Sequence, residues 1–279
     1  MKRTARLQLT VLQAGTCAEG SAELGSCYVL SWGEDFLVVD LGPGSVASLL
    51  DRSFDLDRLA AVFLTHLHPD HSLEVPLLVQ LLTYGRAHAR TRPLRVFGGP
   101  GTGRAVEAWA GIFGSFVAGS ARCPVEVVEL SAGDLVALDF METGRTGPAA
   151  VGVSEVSHTD SSVAYRFEVD GASVVLTGDT GPWDPLVRFA AGADLLVTEC
   201  SFPDERPVDG HMTPRAVADL ASAARVGSVL LGHFYPGTDP EAARRTVAGA
   251  HGGPVRLAEP GLTLDVGSGT EKRPDHVTV

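Results

Sequence analysis

Apolar positions along this chain fall mostly in short runs bounded by glycine, proline and small polar residues, which is the pattern of buried strands. Residues 7–12, 26–32 and 36–40 read as the first three strands, with a small-residue loop at 15–25 and a sharp turn at Asp40-Leu41-Gly42-Pro43-Gly44. Residues 59–64 form a wholly apolar strand, 73–84 a helix and 94–98 another strand. Residues 106–117 fit a helix that carries Trp109, Phe113 and Phe116 on one face at i, i+4 and i+7, as core, dimer contact or lid. Strands are expected again at 125–130, 135–143, 151–156, 163–169, 173–177, 195–199 and 230–233. Two helices carry clear start signals, Thr213-Pro214 and Asp239-Pro240-Glu241, each a capping side chain before a first-turn proline. The first should run to about Val226, with Gly227 as its terminator.

Two strand-rich halves with interspersed helices suggest an α/β (α+β) protein whose two sheets pack face to face under helices. No linker or tandem repeat interrupts the chain, so one domain over residues 1–279 is the simpler organisation, with a polar and disordered tail expected from 267 on.

Composition narrows the partners. The chain has 34 acidic and 22 basic residues, a net charge of −12, and all the basic residues except Lys2 and Lys272 are arginine. That balance disfavours extended nucleic acid and anionic membranes. The basic start, Met1 to Arg6, has no apolar run of signal-peptide type behind it, and no stretch has the length of a transmembrane helix. Cys17, Cys27, Cys123 and Cys200 are widely spaced, as expected of reduced thiols in a cytoplasmic protein, and only Cys17 or Cys200 is a candidate neighbour of a site.

The chemistry concentrates in Thr65-His66-Leu67-His68-Pro69-Asp70-His71, directly after the apolar strand at 59–64. Strand alternation sends His66 and His68 to one side. Pro69 opens a helical turn that brings Asp70 and His71 back. Imidazoles with a carboxylate suit zinc, and also manganese or iron. Three further candidates stand at strand ends: His158, Asp179 in Leu176-Thr177-Gly178-Asp179-Thr180, and His233. By contrast, Gly98-Gly99-Pro100-Gly101-Thr102-Gly103-Arg104-Ala105 has the spacing of a P-loop but lacks its lysine and hydroxyl, so it reads as a strand-to-helix turn.

With these motifs in this order, the chain resembles the metallo-β-lactamase fold superfamily over about residues 7–266. The resemblance implies a four-layer αββα sandwich of two mixed β-sheets flanked by helices. It implies one divalent ion on His66, His68 and His158, a second on Asp70, His71 and His233, and Asp179 between them. A hydroxide shared by the ions would be the nucleophile, which makes Asp70 and Asp179 part of the catalytic set. Asp40 corresponds to an aspartate that orients a histidine ligand. Gly210-His211-Met212-Thr213-Pro214 is similar to the HxT element of ribonuclease Z-like phosphodiesterases, which makes His211 a catalytic donor and Thr213 a substrate contact. The start of the following helix would then help hold the substrate anion. Phe234 and Tyr235 are further candidate substrate contacts. The interval from Glu142 to Ser157 is short and holds no arm for gripping transfer RNA. The resemblance therefore implies a compact metal-dependent hydrolase of a small phosphodiester such as a cyclic nucleotide. The alternatives are a sulfate ester, lactone or thioester hydrolase, a metal-retaining binding protein, and, as a minor reading, transfer-RNA 3′ processing. The family often forms dimers, so a homodimer is among the assemblies the resemblance allows.

Overall fold

The computed structural model describes residues 6–90, 92–138 and 149–267. The first half carries β1 (Leu7–Ala14), β2 (Ser26–Trp32), β3 (Asp35–Val39), α1 (Ser45–Asp51), β4 (Leu59–Leu64), α2 (Pro69–Ser72), α3 (Val75–Tyr84), β5 (Leu94–Gly98), α4 (Thr102–Phe113) and β6 (Val125–Glu129). The second carries β7 (Leu135–Leu138), β8 (Ala149–Glu155), β9 (Val163–Val169), β10 (Ala172–Leu176), α5 (Asp184–Phe189), β11 (Leu195–Glu199), α6 (Pro214–Ala224), β12 (Ser228–Gly232), α7 (Pro240–His251), β13 (Val255–Leu257) and β14 (Thr263–Asp265). The far end of the strand expected at 135–143 and the expected tail beyond Gly267 lie outside the described residues.

The strands form two sheets, β14-β1-β2-β3-β4-β5-β6 and β13-β12-β11-β10-β9-β8-β7. β3 to β6 run parallel, as do β10 to β13, and the remaining pairs are antiparallel. Parallel strands need crossovers, and α1 to α4 and α5 to α7 supply them. Strand alternation explains the layers. Ala61 and Phe63 of β4 face a core shared with Tyr165 and Phe167 of β9 and Val197 of β11, while Val62 and Leu64 face α3 through Leu78 and Leu82. In the other sheet Leu196 of β11 and Val229 of β12 pack under Leu186 of α5, Val217 of α6 and Val247 of α7. The result is the four-layer αββα sandwich, with Phe63 stacked on Phe97 at 4.6 Å between ring centroids at the middle of the inter-sheet core.

Three expectations about helices need correction. The helix placed at 106–117 is α4, which starts earlier and stops at Phe113, because Gly114 sits at φ 123° and breaks the backbone before a short 3-10 turn from Ser115 to Ala118. Trp109 and Phe116 still pack against the outer core, but the break leaves Phe113 54% exposed, so the three rings do not form one buried face. In α6 the left-handed residue that ends the helix is Arg225, ahead of Gly227. The helix expected at 73–84 begins at Val75, after the separate turn α2.

The parallel arrangement places several chain segments at one rim. Asp40 follows β3, His66 to His71 follow β4, Asp179 follows β10, and His233 follows β12. Carboxyl ends of parallel strands carry loops that are free to hold a ligand.

Candidate metal centre

All seven residues proposed from the sequence as ligands converge at this rim. Ligand atoms of His66, His68, His158 and Asp179 lie within 4.8 Å of one another, and so do those of Asp70, His71 and His233. Asp179 stands between the groups. Its Oδ1 is 3.4 Å from His71 Nε2, and its Oδ2 is 3.5 Å from His233 Nε2, 3.9 Å from His66 Nε2 and 4.0 Å from His158 Nε2. Imidazole nitrogens face each other at 3.2 Å between His68 and His158 and at 3.3 Å between His71 and His233.

Local backbone explains the aim of each ligand. Gly178 adopts φ 57°, and a Cβ there would stand 2.5 Å from Cβ of Thr65, so only glycine lets Asp179 turn in so close to the end of β4. Asp40 and His233 occupy the left-handed region at φ 63° and 56°, a strained conformation for residues with a side chain. The reversal at His233 separates it from its neighbour: His233 is buried at the rim, while Phe234 packs against the apolar cluster under α6 and α7.

Most of the histidines use the ring nitrogen turned away from the group to fix their orientation. His71 Nδ1 lies 2.8 Å from Asp40 Oδ2, His233 Nδ1 is 3.1 Å from Ser201 Oγ, His158 Nδ1 is 3.0 Å from the Gly210 carbonyl, and His66 Nδ1 is 3.2 Å from Thr65 Oγ1. Such partners leave Nε2 to the centre. His68 instead turns Nδ1 inward and is exposed. Asp40 is itself held by the amide and hydroxyl of Thr65 at 2.8 and 3.0 Å.

Electrostatics favour a cation here. Burial opposes a charge on His71, but Asp179, Asp40 and Asp70 surround it and hold its pKa up to about 10. Burial and the neighbouring imidazoles push His66 well below the ordinary range, so its nitrogen keeps a free lone pair. His66 Nε2 and Asp179 Oδ1 are buried without a hydrogen bond, a costly state for polar atoms that a metal ion would relieve. On these grounds the residues fit two divalent ions. Replacing Asp40 by Asn should weaken metal binding about 10- to 100-fold, because it removes the charge that orients His71. Titration against a competing chelator measures this, and unchanged affinity would dismiss the role of Asp40.

A second device adjoins the ligands. His211 Nδ1 lies 3.0 and 3.2 Å from the two oxygens of Glu199, a buried carboxylate at the end of β11. Glu199 also accepts from the amides of Thr180 at 2.7 Å and Met212 at 3.2 Å. Burial raises the Glu199 carboxyl and would lower His211, but the contact with Glu199 reverses the second shift and raises the imidazole pKa. Ligand atoms of Asp179, Glu199 and His211 lie within 4.8 Å of one another. Glu199 escaped the sequence reading of roles. Its signal is a lone acid closing the buried strand Leu195-Leu196-Val197-Thr198-Glu199, which demands partners.

The start of α6 is engaged within the protein. Thr213 Oγ1 accepts from Ala216 N at 3.4 Å, and Asp204 accepts from Arg215 N at 3.0 Å. Thr213 is thus a helix cap, a role that contributes about 1 kcal/mol, and these amide donors are already satisfied. Tyr235 does stand over the centre, 5.7 Å from His233 and 6.0 Å from His211 between ring centroids, and stacks on Phe202 at 4.8 Å. Cys17 is exposed, and its amide lies 3.4 Å from Asp70 Oδ2. Cys200 is buried, and burial with Glu199 nearby pushes its thiol up to about 12. Among the described residues no helix is long and apolar enough to cross a membrane.

Known proteins share this plan. A family profile described as Beta-lactamase superfamily domain matches residues 37–234. Ribonuclease Z of Mycobacterium bovis (strain BCG / Pasteur 1173P2) is 31% identical over 252 residues, covering 84% of this chain and 88% of that protein. The metallo-beta-lactamase fold protein YhfI from Bacillus subtilis superposes with a TM-score of 0.78 at 21% identity, covering 93% of this chain and 99% of that one. The short form of human tRNase Z superposes with a TM-score of 0.71 at 19% identity, covering 93% and 99%.

Proposed function

The chain belongs to the beta-lactamase superfamily, among relatives named Ribonuclease Z, and from that premise we propose that it is a dinuclear-metal hydrolase of a small phosphodiester. The observation that carries the proposal is Asp179, set between two donor groups with the His211–Glu199 pair directly beside it. In this reading His66, His68 and His158 would hold one ion, Asp70, His71 and His233 the other, with the Asp179 carboxylate available to both groups. When bound, two divalent ions lower the pKa of water and offset charge on phosphate oxygens.

The chain's own residues supply the rest. Asp40, Ser201 and the Gly210 carbonyl hold the histidines in register, which keeps the reacting groups positioned. Hydrolysis adds water to phosphorus and breaks one P–O ester bond, and the departing alkoxide needs a proton. His211 is suited to give it: Glu199 grips Nδ1, the pair favours the protonated ring, and Nε2 makes no hydrogen bond among the described residues. Glu199 then stabilises the protonated imidazole as a buried carboxylate partner. Tyr235 and Phe202 wall the approach.

The charge of −12, which disfavours a long polyanion, supports the small substrate. A second reading, cleavage of an RNA phosphodiester, rests on the 31% identity to a protein named Ribonuclease Z. One panel separates the possibilities. Protein with its metal content determined is offered cyclic nucleotides, bis-p-nitrophenyl phosphate, a sulfate ester, a lactone, a thioester and precursor transfer RNA. The expected result is turnover of the phosphodiesters at about two metals per chain. Exclusive turnover of the RNA would favour the second reading, and turnover of the other esters alone would overturn both.

A further inference from the structure

An open groove of about 500 Å³ lies beside the loops that carry His68 and His158, at the start of α4. Part of its lining is made of chain neighbours of those two residues, and the rest is the turn from Pro100 to Ala105. Leu67 lies between His66 and His68, and Thr159, Asp160 and Ser161 follow His158. The two sheets meet at this point, where Val163 N donates to the Thr65 carbonyl at 2.8 Å.

The polar groups of the groove are unevenly placed. Arg104, on the first turn of α4, is its one cation. Its guanidinium folds back beside Gly101, with Nη2 3.5 Å from where a Gly101 Cβ would stand, and Leu67 touches the same point at 3.9 Å. Arg104 is exposed and has no hydrogen bond or ion pair among the described residues, so its planar fork is free. The backbone donors of the α4 start are not free. Gly101 N and Gly103 N both donate to Glu129 Oε1, at 3.1 and 2.9 Å. Recognition of an anion in the groove therefore falls to the Arg104 side chain and not to the helix end. The other wall carries the Thr159 and Ser161 hydroxyls, hydrogen-bonded to each other at 3.1 Å with Thr159 Oγ1 also 2.7 Å from Ser162 Oγ, and the exposed, unpaired Asp160 carboxylate. These accept from, or donate to, hydroxyl groups, and Asp160 would repel an anion placed against it.

We infer that this groove is a specificity subsite for a phosphorylated sugar of the substrate, with Arg104 binding the second phosphate and the Thr159–Ser161 wall binding sugar hydroxyls. The inference rests on the phosphodiesterase reading above and adds the substrate class: diesters that carry a further phosphate a short distance from the scissile bond. Arginine matches phosphate through paired N–H donors, so replacement by lysine should keep only part of the effect.

The test compares thymidine 5′-(p-nitrophenyl phosphate) with its 3′-phosphorylated analogue. The metal-loaded wild type should prefer the analogue in kcat/KM. Arg104→Glu should reduce that preference about 10- to 100-fold, and Arg104→Lys should fall between. Titration calorimetry supplies a readout that needs no turnover: thymidine 3′,5′-bisphosphate should bind the wild type more tightly than thymidine 5′-monophosphate, and Arg104→Glu should abolish the difference. Equal preference and equal binding in all three proteins would overturn the subsite. Failure of the wild type to cleave either diester would instead count against the phosphodiesterase reading, with the calorimetry still deciding the groove. Because Arg104 has no protein partner, thermal melting of the variants should match the wild type.

Discussion

Asp179→Ala is expected to leave the protein unable to hold a pair of metal ions and to lower kcat/KM on bis-p-nitrophenyl phosphate by about a thousand-fold or more. The two oxygens of Asp179 approach four imidazoles that belong to both donor groups, at 3.4 to 4.0 Å. Alanine deletes the carboxylate that stands between the groups and leaves the imidazoles facing one another. Two cations held close together need an anion between them, and Coulomb repulsion at such separations is only weakly screened in a buried site. Metal catalysis contributes several kcal/mol, and each 1.36 kcal/mol corresponds to a factor of ten. Elemental analysis of the purified variant should show at most one ion per chain. Two tightly held ions with wild-type turnover would sink the assignment of Asp179.

His211→Ala should give the opposite pattern of metal and rate. The side chain contacts Glu199 and stands beside the donor groups, but neither group depends on it. Both ions should remain, and kcat should fall about 10²- to 10⁴-fold if the imidazole donates the proton to the leaving oxygen. The loss should grow with the basicity of the leaving group. An alkyl alkoxide needs the proton far more than p-nitrophenolate does, so a series of diesters with increasing leaving-group pKa reads the role directly. Glu199→Gln should follow the same trend with a smaller loss, because it weakens the hold on the proton without removing the ring. A loss of equal size across the series would make His211 a positioning residue.

Much of the fold was legible in the residues. β2, β4, β5, β9 and β11 lie where short β-branched and apolar runs predict them; β4 is buried on both faces and apolar throughout, while β9 turns Arg166 and Glu168 away from the inter-sheet core. Local signals were weaker where tertiary contact decides. The short helices α1 and α5 and the edge strands β13 and β14 escaped prediction. Each is held by the sheet it covers or extends, and none has a long periodic pattern of its own. Phe113 shows the converse: its i, i+4 spacing from Trp109 is helical, yet the packing ends before it and leaves it in water.

The ligand run His66 to His71 is similarly local. Its spacing alone brings donors together, because strand alternation and one helical turn are fixed by backbone geometry over six residues. Candidate ligands far along the chain were nameable only from their place at strand ends and from resemblance. The contacts between distant residues were a different matter. Glu199 meets His211, Thr213 turns to its own helix and Phe234 to the apolar layer, and Arg104 comes to lie beside Leu67.

The amino-acid order by itself determined the buried strands, the capped helices α6 and α7 and the dense ligand loop, because each depends on interactions between residues a few positions apart. Only the packed sheets decided which acid orients which imidazole and which amide donors are already taken. Only they decided where the unpaired arginine faces the groove. Those facts depend on how two seven-stranded sheets align their carboxyl ends, and no short stretch of chain encodes that alignment.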